Sequence, residues 1–430
     1  MMSVRDRLEE VFERLEKRAS DERVYPKVYW AAARAAADAA DERRRAGVTL
    51  GPLDGALVSV KDLLDVKGEP TLAGSRIFRD RVPAGEDADV VRRLRQAGAV
   101  IIGKTNMVEF AFSGIGLNPH FGTPGNAIDP KRIPGGSSSG AGVAVAEGTS
   151  DISIGSDTGG SVRIPAAFNG VVGFKPTAHR ISLKGAFPLS YSLDSLGPLG
   201  RSVADCIAAD AVMAGYGALV STPYPLSGLR VGVPRGRLFS QTEALVADAF
   251  EASLRRLSAL GARVSDCDLE DLLEQMREAT SRASIASVEA AAIHSDWIET
   301  RAVEIDPRVQ KWIALRRATT AADYIRMMRK RDELTRAMDR RLAPFDVVAL
   351  PTIPIVAPLM APLIADEKLY NKTDTLVLRN TTPINQFDLT AISLPIPDMP
   401  LPVGLMLVAR HDQDRRLFEI ALSVESALPH

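Results

Sequence analysis

The chain has 430 residues, 46% hydrophobic and 25% charged, the balance of an ordinary globular protein with enough chain for one large core or two smaller ones. Its net charge of −1 argues against a nucleic-acid partner held by bulk electrostatics, and two cysteines give no disulfide framework and suit a reducing compartment. The charged first turns hold no signal-peptide core and no apolar run is long enough to span a membrane, so the expected location is cytoplasmic, without a membrane partner.

Ser3 is a candidate N-cap for a helix whose apolar positions Val4, Leu8, Val11, Phe12 and Leu15 share one face. A second, alanine-rich helix is predicted over 27–45, after Pro26, with Gly47 ending it. Residues 57–60 are short and β-branched and read as a buried strand that delivers Lys61 at its end. A lone lysine is by default a surface group, but one directly after an apolar strand is drawn inward. A helix over 89–97 and an apolar strand over 99–104 complete a strand–helix–strand unit of the kind that builds a parallel sheet.

The stretch 135–161 organises the chain. It holds two glycine/serine clusters, Gly135-Gly136-Ser137-Ser138-Ser139-Gly140 and Thr158-Gly159-Gly160-Ser161. Between them, 141–146 is a small-residue helix candidate and 151–155 a short alternating strand. That context excludes a flexible linker and buries both clusters, since small residues let backbones approach closely. A phosphate-binding P-loop is excluded because Gly140 is followed by Ala141 and Gly142, not Lys-Ser/Thr. A nucleophile elbow centred on Ser138 needs a preceding core strand, and 129–134 carries two prolines and three charges. The scattered cysteines and histidines offer no metal site.

Further strands are expected over 171–177, 229–234, 262–267, 345–351 and 401–408. Residues 195–200 read as a turn into a helix over about 203–213, and 243–260 as another helix. Residues 270–343 are helical and highly charged. The basic run 326–331 reads as a solvated helix face, because Asp332, Glu333 and Asp339 follow it. A proline-rich loop occupies 351–362.

The two clusters, with the Val162-Arg163-Ile164-Pro165-Ala166 segment that follows, resemble the amidase signature family. The family pattern is a GGSS-type run, then D-x-G-G-S, then R-x-P-A. Here these are Gly135 to Ser138, Asp157 to Ser161, and Arg163 to Ala166, with Lys61 upstream. The resemblance is most specific between Lys61 and Thr177. It implies an α/β fold: one large mixed, twisted central sheet covered by helices on both faces. The expected organisation is an N-terminal helical region over 1–50 and a signature domain over 51–430. Within that domain the catalytic core covers about 52–220 and a variable substrate region about 270–390.

The resemblance also implies roles. Ser161 is the expected nucleophile, Ser137 the proton relay and Lys61 the base, with the main-chain N–H groups of Thr158, Gly159, Gly160 and Ser161 as oxyanion hole. Burial, aided by the helix after Ser139, is expected to lower the Lys61 pKa toward neutrality. A cis peptide is implied at Gly136–Ser137. Asp157 and Arg163 are expected to brace the loop. No cofactor or metal is called for, the expected partner is a small-molecule amide, and a homodimer is left open. One departure is visible: after Ala391 to Pro395 the chain has only Ile396 to Pro400, where the family has a longer glycine-containing hairpin. Two functions are implied, a stand-alone amidase acting on a small carboxylic amide, or the amidase component of a glutamine-dependent tRNA amidotransferase. A histidine-based mechanism through His179 is the rival chemistry.

Overall fold

A computed structural model describes residues 2–428 except 218, 220 and 315–318. The excluded residues 315–318 fall within the stretch expected to be helical. Among the described residues, eleven strands form one mixed sheet. In the first half these are β1 (Lys27–Val28), β2 (Leu57–Lys61), β3 (Val100–Thr105), β4 (Ile152–Asp157), β5 (Val172–Lys175) and β6 (Ser195–Gly200). The second half adds β7 (Arg230–Val233), β8 (Arg263–Asp266), β9 (Val347–Pro351), β10 (Thr390–Ile396) and β11 (Val403–Ala409). Their order across the sheet is β1-β3-β2-β4-β6-β5-β10-β11-β9-β7-β8. Among the described residues, no helix is long and apolar enough to cross a membrane.

Strands β3, β2 and β4 run parallel, with β2 and β3 joined through the expected strand–helix–strand unit, whereas β6 returns antiparallel to β4. Lys61 and Asp157 are therefore the last residues of adjacent parallel strands, and Ser195, paired with Asp157, begins its strand at that same end. The ends of parallel strands leave loops free to build a site there. Helices Val203–Ala214, Ala244–Ala259 and Asp414–Ala427 cover one face, packing on Phe174, Ile392, Leu405 and Leu407. Helices Ser139–Ala146 and Arg163–Asn169 lie on the other, where Ala141, Val145, Val162, Ala166 and Leu199 form a core of small side chains.

Helix Val4–Lys17 buries all five expected apolar positions, and Ser3 caps it by accepting the Asp6 N–H at 2.9 Å. The second helix is shorter than predicted, Trp30–Arg45. Its expected first turn is instead β1, paired antiparallel with β3, Lys27 opposite Lys104 and Val28 opposite Gly103. Gly103 admits that edge: a Cβ there would stand 2.3 Å from the Lys27 carbonyl oxygen.

Two further strands of the sheet have no counterpart in the expectations. The glycines and proline of 195–200 read as a turn, yet these residues form β6, between β4 and β5. The glycine is a packing requirement, since a Cβ on Gly197 would lie 2.0 Å from the Phe174 carbonyl oxygen. Strand β10 pairs with β11 from Thr390 opposite Ala409 to Ile396 opposite Val403, so Ile396 still belongs to the ladder and residues 397–402 connect the two strands. Substituting Gly197→Ala should lower the unfolding free energy by about 1–3 kcal/mol, the usual cost of overpacking a closed core, measured by denaturant titration. A wild-type midpoint would refute the close approach of β6 to β5.

Candidate active site

Two loops meet at the ends of β2 and β4. The first ends in Ser137–Ser139, and all three serines are fully buried. It lies under the 106–116 segment, where the Val108 N–H donates to the Ser137 carbonyl at 3.0 Å and the Gly136 N–H to the Gly114 carbonyl at 2.8 Å. The Gly136–Ser137 peptide is cis. Ser138 precedes helix Ser139–Ala146 and follows irregular chain rather than a strand, so the elbow geometry is absent at this serine. The second loop is the turn 158–161, in which Gly160 has φ +134° and its missing Cβ leaves room for Thr381 Oγ1, which a Cβ would approach to 2.2 Å. The Ser138 N–H donates to the Ser161 carbonyl at 3.3 Å, joining the two loops.

Lys61 is fully buried and donates from Nζ to Ser137 Oγ and to Ser156 Oγ, both at 2.8 Å. Burial drives its pKa down from 10.5 to about 7, against the opposing fields of Asp194 and Asp157. Desolvation is thus the cause of the lowering, and the amine is poised to exchange a proton near neutrality.

Asp157 is the hub of the turn. Its carboxylate accepts from the Gly160 N–H at 2.8 Å, the Val162 N–H at 3.2 Å, Arg163 Nε at 3.0 Å and Nη2 at 2.9 Å, and Asn385 Nδ2 at 2.9 Å. Burial raises its pKa, but the charge and hydrogen bonds of Arg163, with Lys175 and Asn385, outweigh that and hold it at about 2. Of the four amides expected to face an oxyanion, that of Gly160 is therefore already engaged by Asp157. Thr381 and Thr382 grip the turn from outside, donating from Oγ1 to the Gly159 carbonyl at 2.7 and 3.3 Å.

Several contributors carry no sequence motif. Ser156 continues the alternation Ile152, Ile154 by one more step, a signal the pattern could have yielded. Asn385 and Asp194 lie far along the chain and reach the site through the sheet order alone. Arg331 corrects the reading of the basic run: Arg326 and Lys330 pair with Asp323 and Glu333 at the surface, but Arg331 turns inward. It donates to the Gln386 carbonyl at 2.9 Å and the Asn385 carbonyl at 3.3 Å, steadying the asparagine that holds Asp157. The rival histidine, His179, is exposed in a turn at φ +64°. His294 is buried, its Nδ1 accepting from Trp297 Nε1 at 3.1 Å and its pKa pushed down to about 3 by burial, within a cluster of Phe110, Phe187 and Trp297.

The mixed sheet and this cluster define an amidase-signature hydrolase. The family model described as Amidase matches residues 6–418, and the chain belongs to that family. It is 36% identical over 406 residues to a 2-amino-5-chloromuconic acid deaminase of Comamonas testosteroni, covering 93% of this chain and 87% of that protein. It is also 36% identical over 425 residues to a glutamyl-tRNA(Gln) amidotransferase subunit of Moorella thermoacetica, covering 91% of this chain and 86% of the relative. A crystal structure of an amidase superposes with a TM-score of 0.89 at 36% identity, covering 100% of this chain and 97% of that one. The native peptide amidase of Stenotrophomonas maltophilia gives 0.82 at 25% identity over 99% and 94%.

The Lys61 burial has a measurable consequence. With a folded pKa near 7 and an unfolded value near 10.5, the unfolded state binds the extra proton between those limits. Lys61 therefore costs stability fully below about 7, and the cost vanishes as pH rises to 10.5. Relative to Lys61→Met, the wild-type protein should gain melting temperature steadily from about pH 7 to about pH 10. A constant difference over that range would exclude a depressed lysine.

Proposed function

We propose that the protein is an amidase that hydrolyses the C–N bond of a small carboxylic amide through an acyl-enzyme on Ser161. The observation that carries this reading is the fully buried Lys61 Nζ donating to Ser137 Oγ at 2.8 Å, beside the glycine turn that ends in Ser161. Neutral Lys61 takes a proton from Ser137 as Ser137 takes one from Ser161, whose Oγ attacks the amide carbonyl carbon. The charge that develops on the carbonyl oxygen is met by main-chain N–H groups of Thr158, Gly159 and Ser161, while the Gly160 N–H keeps the turn fixed on Asp157. The proton on Lys61 returns through Ser137 to the amine nitrogen as the C–N bond breaks. Water, deprotonated by the same route, then attacks the ester carbon, and Ser161 recovers its proton. The variable region over 270–390 supplies the substrate side of the pocket.

A second reading is the amidase component of a glutamine-dependent tRNA amidotransferase, favoured by the 34–36% identity to several glutamyl-tRNA(Gln) amidotransferase subunits. The shortened β10–β11 hairpin favours the stand-alone enzyme. Assay of the purified chain on malonamide, arylacetamides, indoleacetamide, glutamine and asparagine separates the two. Ammonia release from non-amino-acid amides without a partner is expected, and turnover of glutamine only when partner proteins are added would select the second reading.

A fluorophosphonate should label Ser161, read by peptide mass spectrometry; label on Ser138 instead would defeat the assignment. Because an amine departs poorly unless protonated, Lys61→Ala should lower kcat for an amide by about 10²–10⁴-fold, and for the matched ester by less. The same substitution should abolish the limb of the pH profile that rises near pH 7. Survival of that limb, or its loss in His179→Ala, would assign the base elsewhere.

A further inference from the structure

Asp194, buried in the turn just before β6, takes no part in the steps above. Its carboxylate accepts the Leu189 N–H at 2.9 Å and the Ser190 N–H at 3.1 Å on Oδ2, and the Thr158 hydroxyl on Oδ1. Thr158 begins the glycine turn. The Asp194 loop is held in its place from the far side: Ser190 and Ser192 donate through their hydroxyls to Glu289 of helix Ile285–Ile293. Glu289 also accepts the Tyr324 hydroxyl of helix Ala321–Leu342. A continuous series of hydrogen bonds thus runs from the outer helices to the first residue of the turn that presents Ser161.

Two carboxylates stand at the strand ends beside Lys61: Asp157 follows Ser156, whose Oγ accepts from Lys61 Nζ at 2.8 Å, and Asp194 precedes Ser195, the strand partner of Asp157. They are not equivalent. Asp157 is paired with Arg163 and has Lys175 nearby, so much of its field is cancelled at source. The three hydrogen-bond donors to Asp194 are neutral, and its charge is left to act on Lys61.

We propose that Asp194 is a positioning residue with two effects: its bond from Thr158 fixes the start of the catalytic turn, and its negative charge raises the pH at which Lys61 sheds its proton. The proposal rests on Lys61 being the base of the Ser161 reaction. Direction follows from sign. A negative charge favours the ammonium form, so removing it makes Lys61 titrate at lower pH.

The pH dependence of the rate constant for inactivation by a fluorophosphonate tests this on the full chain without knowledge of the natural substrate. In Asp194→Asn the rising limb should move to lower pH by about one unit, with a plateau about 10–100-fold below wild type. Thr158→Val removes the clamp and also the hydrogen bond that favours the Asp194 carboxylate, so it should lower the plateau similarly and move the limb in the same direction by less. An unmoved or raised limb in Asp194→Asn overturns the charge effect, and a wild-type plateau in Thr158→Val overturns the clamp. Should Asp194→Asn not fold, Thr158→Val decides alone. Failure of the underlying reading shows differently, as absence of label on Ser161 in the wild-type protein or persistence of the limb in Lys61→Ala.

Discussion

The site depends on one buried ion pair. Asp157 and Arg163 are both fully buried, six positions apart across the glycine turn, and bonded through two nitrogens. Such a pair adds little net stability, because desolvation consumes most of the Coulombic gain, but losing one member leaves an uncompensated charge at a cost of about 3–5 kcal/mol. Its value here is geometric. The carboxylate that Arg163 neutralises collects the Gly160 and Val162 amides, and so closes the turn on itself. Arg163 also donates to the Thr381 carbonyl at 3.1 Å and Asn385 Oδ1 at 2.7 Å, tying that turn to the segment before β10. The two halves of the chain therefore meet at this pair.

With the turn fixed, burial does the chemical tuning. Lys61 emerges from a strand flanked on both sides and is itself fully buried, so the ammonium loses its hydration and the amine form becomes accessible near pH 7. Ser137 and Ser156 replace solvent with two hydroxyl partners that suit either protonation state. The buried carboxylate of Asp194 is driven the other way, up to about 6, by the same desolvation. One low-dielectric pocket thus brings an acid and a base toward a common range.

Small residues make this packing feasible. Helix Ser139–Ala146 lies so close to its neighbours that a Cβ on Gly140 would stand 2.6 Å from the Asn106 nitrogen, and one on Gly142 2.8 Å from the Pro165 carbonyl oxygen. The absence of side-chain bulk lets main-chain groups of three segments approach to hydrogen-bonding distance around the serines.

The sequence by itself determined the elements whose signals are local: the capped amphipathic first helix, the apolar strands ending at Lys61 and Thr105, and the two glycine/serine clusters with their flanking small residues. Those clusters were legible because a turn built from main-chain groups tolerates few residue types. What only the tertiary structure decided was long-range. Glycines at 197 and 200 and Pro198 spell a turn locally, yet form a central strand paired with β4 and β5, where the missing Cβ of Gly197 makes room for the Phe174 carbonyl oxygen. Arg331 reads as one charge in a solvated run and turns inward because two carbonyls at 385–386 await it. Asn385, Asp194 and Glu289 have no periodicity or motif to betray them. Their positions follow from a strand order that is not the chain order, and no local pattern encodes which distant strand will lie beside β4.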